Sequence, residues 1–313
     1  MQRLPPEPDK GPDSHLALEL KAGTSDGIEI YYEEEGQGIP LLFIHEFAGD
    51  HRSWAPQVGR FAGAYRCITY AARGYPPSDV PTDAAAYSQR RAVDDAIAVL
   101  DAAGAKQAHV VGLSMGGFAA LHLVVAHPSR IRSAVIAGVG YGSQPEKGEQ
   151  FRKESHALAA AFESQGSAKV AETYAVGPAR VQLQNKNPDA WREFAKALAQ
   201  HDPTGAALTM RGVQAARPSL YDLQDELRAV RTPVLILSGD EDEGSLEPSM
   251  MLKRTIPTSG LVILPRTGHT SNLEDPSAFN DAVGAFLTAV SSGEWRERDP
   301  RARTTSIMGV VHP

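Results

Sequence analysis

The chain has 313 residues, 42% of them hydrophobic and 22% charged, enough to bury one large core or a core that carries an insertion. A formal net charge of −7 offers no basic excess to a phosphate backbone, which argues against nucleic acid as a partner. A single cysteine, Cys67, excludes an intrachain disulfide framework and a thiolate metal cluster, and no segment is long enough to span a bilayer.

Residues 1–14 are rich in proline and charge and lack an apolar signal core, so a soluble, cytoplasmic protein is expected, without membrane contact. Leu16, Leu18 and Leu20 then alternate as a candidate edge strand. Asp26-Gly27 is a hairpin signal, and Ile28 to Glu33 alternates as a half-exposed antiparallel strand. Leu41-Leu42-Phe43-Ile44 is an unbroken apolar run of the kind found in strands covered on both faces, and from here a parallel sheet is expected. Arg66 to Tyr70 is a second such strand, which places Cys67 in the core. The prolines of Ala71 to Ser78 keep the following loop from becoming helix.

Tyr87 to Ala103 carries apolar residues at helical spacing, His109 to Leu113 is the next strand, Phe118 to Ala126 a helix and Ile131 to Gly138 a further strand. Strands alternating with helices give an α/β class with right-handed crossovers. The rhythm breaks from Tyr141 to about Arg228, where only helical patterns occur: Gln150 to Ser164, Ala168 to Tyr174, Asp189 to Ala199 and Thr204 to Ala215. Such a block between two sheet strands is expected to form a helical lid. Pro233 to Leu237 and Leu261 to Leu264 resume the sheet, and Pro276 to Val290 gives a last helix. The expected organisation is an N-terminal extension over 1–24, a core over 25–140 and 229–292, a helical cap over 141–228, and a polar, mobile tail over 293–313.

One stretch organises the rest. In Gly112-Leu113-Ser114-Met115-Gly116 a strand ends in a serine flanked by glycines and a helix follows at once. A serine on so sharp a turn projects its hydroxyl above the sheet edge, and the turn tolerates only small residues two positions away. The helix that opens at Met115 supplies free N–H groups and its positive dipole end, which suits an oxyanion on a carbonyl attacked by Ser114. A serine needs a base, and the base needs an orienting group. Carboxylates follow in Ser238-Gly239-Asp240-Glu241-Asp242 and a histidine in Thr267-Gly268-His269, each on a loop at the C-terminal end of a parallel strand, where open α/β sheets place their sites. The chain order is Ser, Asp, His.

These motifs, together with His45 after the first buried strand and Asn272-Leu273-Glu274-Asp275-Pro276 after the histidine, resemble the capped branch of the α/β-hydrolase superfamily from Asp26 to Val290. The resemblance implies an α/β-hydrolase fold, with a mostly parallel eight-stranded sheet, helices on both faces and an inserted helical cap. It implies Ser114 as nucleophile, His269 as general base and then acid, and Asp242 as the orienting carboxylate, with Asp240 as second choice. The oxyanion hole would come from the N–H groups of Met115 and Phe47.

The chain departs from that pattern at Glu46, where the family has glycine. A buried carboxylate there needs a partner, so Glu46 is expected to turn away from Ser114 toward a basic group at the pocket margin. His51 and Trp54 are expected to be capping and packing residues. The implied activity is a cofactor-free serine hydrolase of a small carboxylic ester or lactone, acting as monomer or homodimer on a small molecule.

Related capped enzymes hydrolyse carbon–carbon bonds of ring-cleavage products with a cap arginine, for which Arg180 and Arg211 are available; others keep the triad as slow small-molecule receptors. His45, Glu46, Arg180 and Arg211 are therefore the pocket candidates. No glycine-rich phosphate loop follows the first buried strand, and the ten histidines show no short-spaced pair joined to an acid, so neither dinucleotide nor metal is expected.

Overall fold

The computed structural model describes residues 18–303, so Leu16 and the end of the tail lie outside the described residues. The strands are β1 (Leu18–Gly23), β2 (Glu29–Glu35), β3 (Ile39–Ile44), β4 (Tyr65–Tyr70), β5 (Ala108–Leu113), β6 (Ile131–Ala137), β7 (Val234–Gly239) and β8 (Ser259–Leu264). Among the described residues they form one eight-stranded sheet in the order β1-β2-β4-β3-β5-β6-β7-β8. β2 pairs antiparallel with β1 and β4, and every other pairing is parallel.

Strand alternation assigns two cores. Leu41 and Phe43 of β3 point to the side occupied by Trp54, Phe61 of α1 (Ala55–Phe61), and Phe279 and Phe286 of α12 (Pro276–Ser291). Leu42 and Ile44 point to the other side, where α2 (Gln89–Ala102), α3 (Met115–Ala126) and α10 (Glu243–Thr255) pack. Each helix face follows from its sequence. In α2, Ser88 caps the first turn by accepting from the Arg91 N–H at 3.1 Å, and Val93, Ala96, Val99 and Leu100 recur at helical spacing on the buried side. Cys67 is buried, and burial pushes its thiol up to about 12, which leaves it an inert core residue.

Between β6 and β7 lie α4 (Gly148–Gln165), α5 (Ser167–Tyr174), α6 (Val181–Lys186), α7 (Pro188–Ala199), α8 (Pro203–Thr209) and α9 (Gln224–Ala229). The apolar faces of α4 to α8 form a third core over the C-terminal ends of the strands, with Phe162, Leu183, Phe194, Leu198 and Met210 set against Phe47, Tyr75 and Met115, whereas Leu227 of α9 joins the sheet-side core. The expected single helix over Thr204 to Ala215 is α8 followed by a π turn, Met210–Ala215. A Cβ on Gly212 of that turn would lie 2.3 Å from the Tyr87 carbonyl, so the chain approaches the sheet domain too closely for a side chain there.

The described part of the tail, 293–303, differs from expectation. Trp295 packs edge-on against Phe286 at 4.6 Å and donates from Nε1 to the Thr258 carbonyl at 2.8 Å, so the segment after α12 is docked rather than loose. No helix among the described residues is long and apolar enough to cross a membrane.

Candidate active site

β5 delivers Ser114 at the sheet edge with φ 54° and ψ −116°, a left-handed backbone that a side-chain-bearing residue occupies only under strain, at a cost of about 1–3 kcal/mol. The flanking glycines make this turn possible. A Cβ on Gly112 would lie 2.1 Å from the Gly116 carbonyl oxygen, and one on Gly116 would lie 2.0 Å from that of Ile44. The Ser114 N–H is committed to the Ala137 carbonyl at 2.8 Å, and its own carbonyl accepts from Phe118 at 2.9 Å to open α3. The N–H of Met115 therefore heads a helix with no intrahelical partner.

Two further loops meet beside it because Gly239, at the end of β7, has no side chain: a Cβ there would lie 1.9 Å from the Thr267 carbonyl oxygen. This contact lays the loop after β7 on the loop after β8. His269 Nδ1 lies 2.9 Å from Asp242 Oδ2, with both side chains buried. An ionised carboxylate can only accept, so Nδ1 carries the hydrogen and Nε2 is left with its lone pair. Burial alone would raise Asp242, but the charge and hydrogen bond of His269 hold its carboxyl below the usual carboxylate range, with the Ser245 and Tyr141 hydroxyls adding to the effect. Burial alone would lower His269, and Asp242 outweighs it, leaving the imidazole raised above its ordinary 6.5. Asp240 takes a different partner. It is exposed and accepts the Thr267 N–H at 3.2 Å, pinning one loop to the other. Asp242 and His269 meet at Gly138, just past the end of β6. Gly138 follows Ala137, the acceptor of the Ser114 N–H, and a Cβ on it would lie 3.5 Å from both Asp242 Oδ2 and His269 Cε1.

The His269 loop is shaped by a residue to which the sequence motifs assign no part. Glu274, on the short helix α11 (Ser271–Glu274), accepts the N–H of Gly268 at 2.6 Å, the N–H of Thr270 at 2.8 Å and the Thr270 hydroxyl at 3.0 Å. Its carboxylate clasps the backbone on both sides of His269. Tyr141, also unassigned from sequence, sets its ring edge-on to His269 at 5.4 Å, and its hydroxyl faces Asp242. A groove of about 480 Å³ opens beside Tyr141 between Phe151 and Glu243.

The pocket candidates divide. His45 accepts the Ala72 N–H on Nε2 at 3.0 Å and donates from Nδ1 to the Glu46 carbonyl at 2.7 Å, so both ring nitrogens are spent on backbone and it has nothing to offer a ligand. Phe47 is buried against Phe162 and Tyr174, with its carbonyl held by the Tyr75 hydroxyl at 2.8 Å. Glu46 accepts from Arg180 Nη2 at 2.6 Å in a fully buried pair joining the loop after β3 to the turn before α6. Arg211 is engaged by an acidic residue of the cap. It lies partly exposed in an ion pair with Glu163 of α4 at 2.7 Å, because its place on the π turn faces α4. His51 packs its ring on Tyr31, Asp50 rather than His51 caps the short helix His51–Trp54, and Trp54 is buried against Phe43.

Residues 41–282 match the model of the Alpha/beta hydrolase family. The chain belongs to this family. Within it, the chain is 26% identical over 276 residues to 3-oxoadipate enol-lactonase 1 of Acinetobacter baylyi, covering 88% of this chain and 97% of the relative. It is 28% identical over 254 residues to a putative carbamate hydrolase of Pseudomonas syringae pv. syringae, covering 79% and 93%. Among solved structures, a thermophilic esterase from Thermogutta terrifontis superposes with a TM-score of 0.77 at 26% identity, covering 88% of this hydrolase-family chain and 99% of the other.

Proposed function

We propose that this chain is a serine hydrolase that cleaves a small carboxylic ester or lactone through an acyl-enzyme on Ser114, needing no cofactor. The observation that carries the reading is the buried His269–Asp242 contact at 2.9 Å beside a serine on a strained turn. His269 Nε2 takes the Ser114 proton as Oγ bonds to the carbonyl carbon, and the negative charge on the carbonyl oxygen lies against the N–H groups of Met115 and Phe47. Collapse of the tetrahedral intermediate breaks the bond to the leaving alkoxide, which receives the proton from His269. A water then repeats the sequence on the acyl-enzyme and releases the acid. Residues 141–228 act as the cap that screens the reaction from bulk water.

The names of an enol-lactonase and an esterase among the relatives support the ester or lactone reading. Carbon–carbon hydrolysis has less support here, since Arg211 is engaged with Glu163 and Arg180 is already neutralised by Glu46. The test is a panel of p-nitrophenyl esters of increasing chain length, with a simple lactone and an aryl-ketone ring-cleavage product, assayed with wild type and Ser114→Ala. Turnover of esters or lactones that disappears in the variant is the expected result. Turnover of the ring-cleavage product alone would replace this reading with the carbon–carbon one.

A further inference from the structure

Glu46 and Arg180 meet at 2.6 Å with side chains only 3% and 1% exposed, between the loop after β3 and the cap. Arg180 is fixed from the cap side, its guanidinium lying 5.3 Å from the Tyr174 ring centre and 4.8 Å from that of Phe194. Glu46 is fixed from the core side as the residue before Phe47. Only Nη2 of the guanidinium reaches the carboxylate, and both Arg180 Nε and Glu46 Oε1 are buried without a hydrogen-bond partner. The pair also lies close enough to His269 for both charges to act on the imidazole, in opposite directions. The site thus contains a cation whose counter-ion is the protein's own, and one acceptor oxygen to spare.

We propose that Glu46 and Arg180 form a charge-cancelled specificity element that admits electroneutral acyl groups and turns away esters whose acyl chain ends in a free carboxylate. An incoming carboxylate has two ways to bind here, and both are unfavourable. If it takes Arg180, Glu46 is left as a buried, unpaired anion; if it does not, it is itself a buried anion facing Glu46. An uncharged acyl chain meets no such conflict, and one that carries a hydroxyl or amide N–H gains Glu46 Oε1 as acceptor. Glu46, occupying the position of the family's glycine, is thereby a specificity-determining residue.

This rests on the reading of Ser114 as nucleophile, and the test separates the two. The probes are p-nitrophenyl pentanoate and the mono-p-nitrophenyl ester of glutaric acid, which share a five-carbon acyl chain and differ by the terminal carboxylate. Wild type is expected to favour the pentanoate in kcat/KM by tenfold or more. Glu46→Gln is expected to move that ratio at least tenfold toward the glutarate ester, and the double variant Glu46→Gln, Arg180→Gln to cancel the gain. Equal use of both esters by wild type overturns the proposal whether or not the variants fold, as does an unchanged ratio in a folded Glu46→Gln protein. Titration with the matching amides, pentanamide and glutaramate, reads the same discrimination without turnover. Preference for pentanamide in a chain that cleaves neither ester supports the charge rule and overturns the nucleophile; equal affinity for both amides overturns the charge rule.

Discussion

Replacing Glu274 with alanine removes the shared acceptor of two backbone N–H groups, those of Gly268 and Thr270, from a residue only 4% exposed. A buried donor left without a partner costs about 1–3 kcal/mol, so two such groups come to about 2–6 kcal/mol, and the Thr270 hydroxyl is counted as nil because it can rotate to another acceptor. The expected loss in urea unfolding is about 3–5 kcal/mol, a large share of what a domain of this kind has to spare. Glu274→Gln keeps one acceptor oxygen and turns an amide donor toward the other N–H, so it should lose about half as much. Because the two donors flank His269, kcat should fall in both variants at a temperature where each remains folded. A change below about 1 kcal/mol in Glu274→Ala, with kcat unaltered, would show that solvent satisfies these donors and that Glu274 does not shape the histidine loop.

With His269 as the proposed base, its neutral form is the active one and its raised pKa sets the sign of the pH dependence: activity should fall as pH drops through the elevated value, so the acid limb of kcat/KM should lie above 6.5. Asp242→Asn should move that limb down and cut kcat by about 10⁴, whereas Asp240→Asn should leave the limb in place, as pH–rate profiles of the two variants will show. Arg211→Ala, which breaks a partly exposed pair with Glu163 and a 3.4 Å contact with His156 Nδ1, should change stability by under about 1 kcal/mol and kcat/KM by under about twofold in side-by-side assays. Trp295→Ala should cost about 2 kcal/mol in denaturant unfolding by removing its packing on Phe286 and its bond to Thr258; no change would mean that the segment is loose after all.

How far the sequence speaks depends on the range of the interaction concerned. The turn at Ser114 is legible because its requirements, glycine at 112 and 116, lie within two residues of the serine. The sheet is legible because runs such as Leu41 to Ile44 are apolar at every position, as two-sided burial demands. Which of Asp240 and Asp242 meets His269 is set by Gly239 seating under Thr267, a contact between loops 28 residues apart that no local pattern encodes. The same holds for Arg180 and Arg211, alike in type and both in helical surroundings, of which one is buried on Glu46 and the other faces Glu163. That Glu46 would need a basic partner follows from the cost of burying a carboxylate, while the identity of that partner required the fold. Helix α10 has no clear local signal because Pro248 interrupts its helical pattern; in the structure that proline lies in the second turn and packs on Gly140. The docking of Trp295 is equally hidden, since it finds its partners only once α12 and β8 are side by side.

The proposed chemistry stands on Ser114 as nucleophile, which covalent labelling reads directly. Wild-type protein treated with a fluorophosphonate should gain the mass of one phosphonyl group, mapped by peptide mass spectrometry to Ser114. Ser114→Ala, with an unchanged far-UV circular dichroism spectrum, should gain none. Labelling of the variant at the wild-type rate, or an adduct mapped to another serine, would contradict the account.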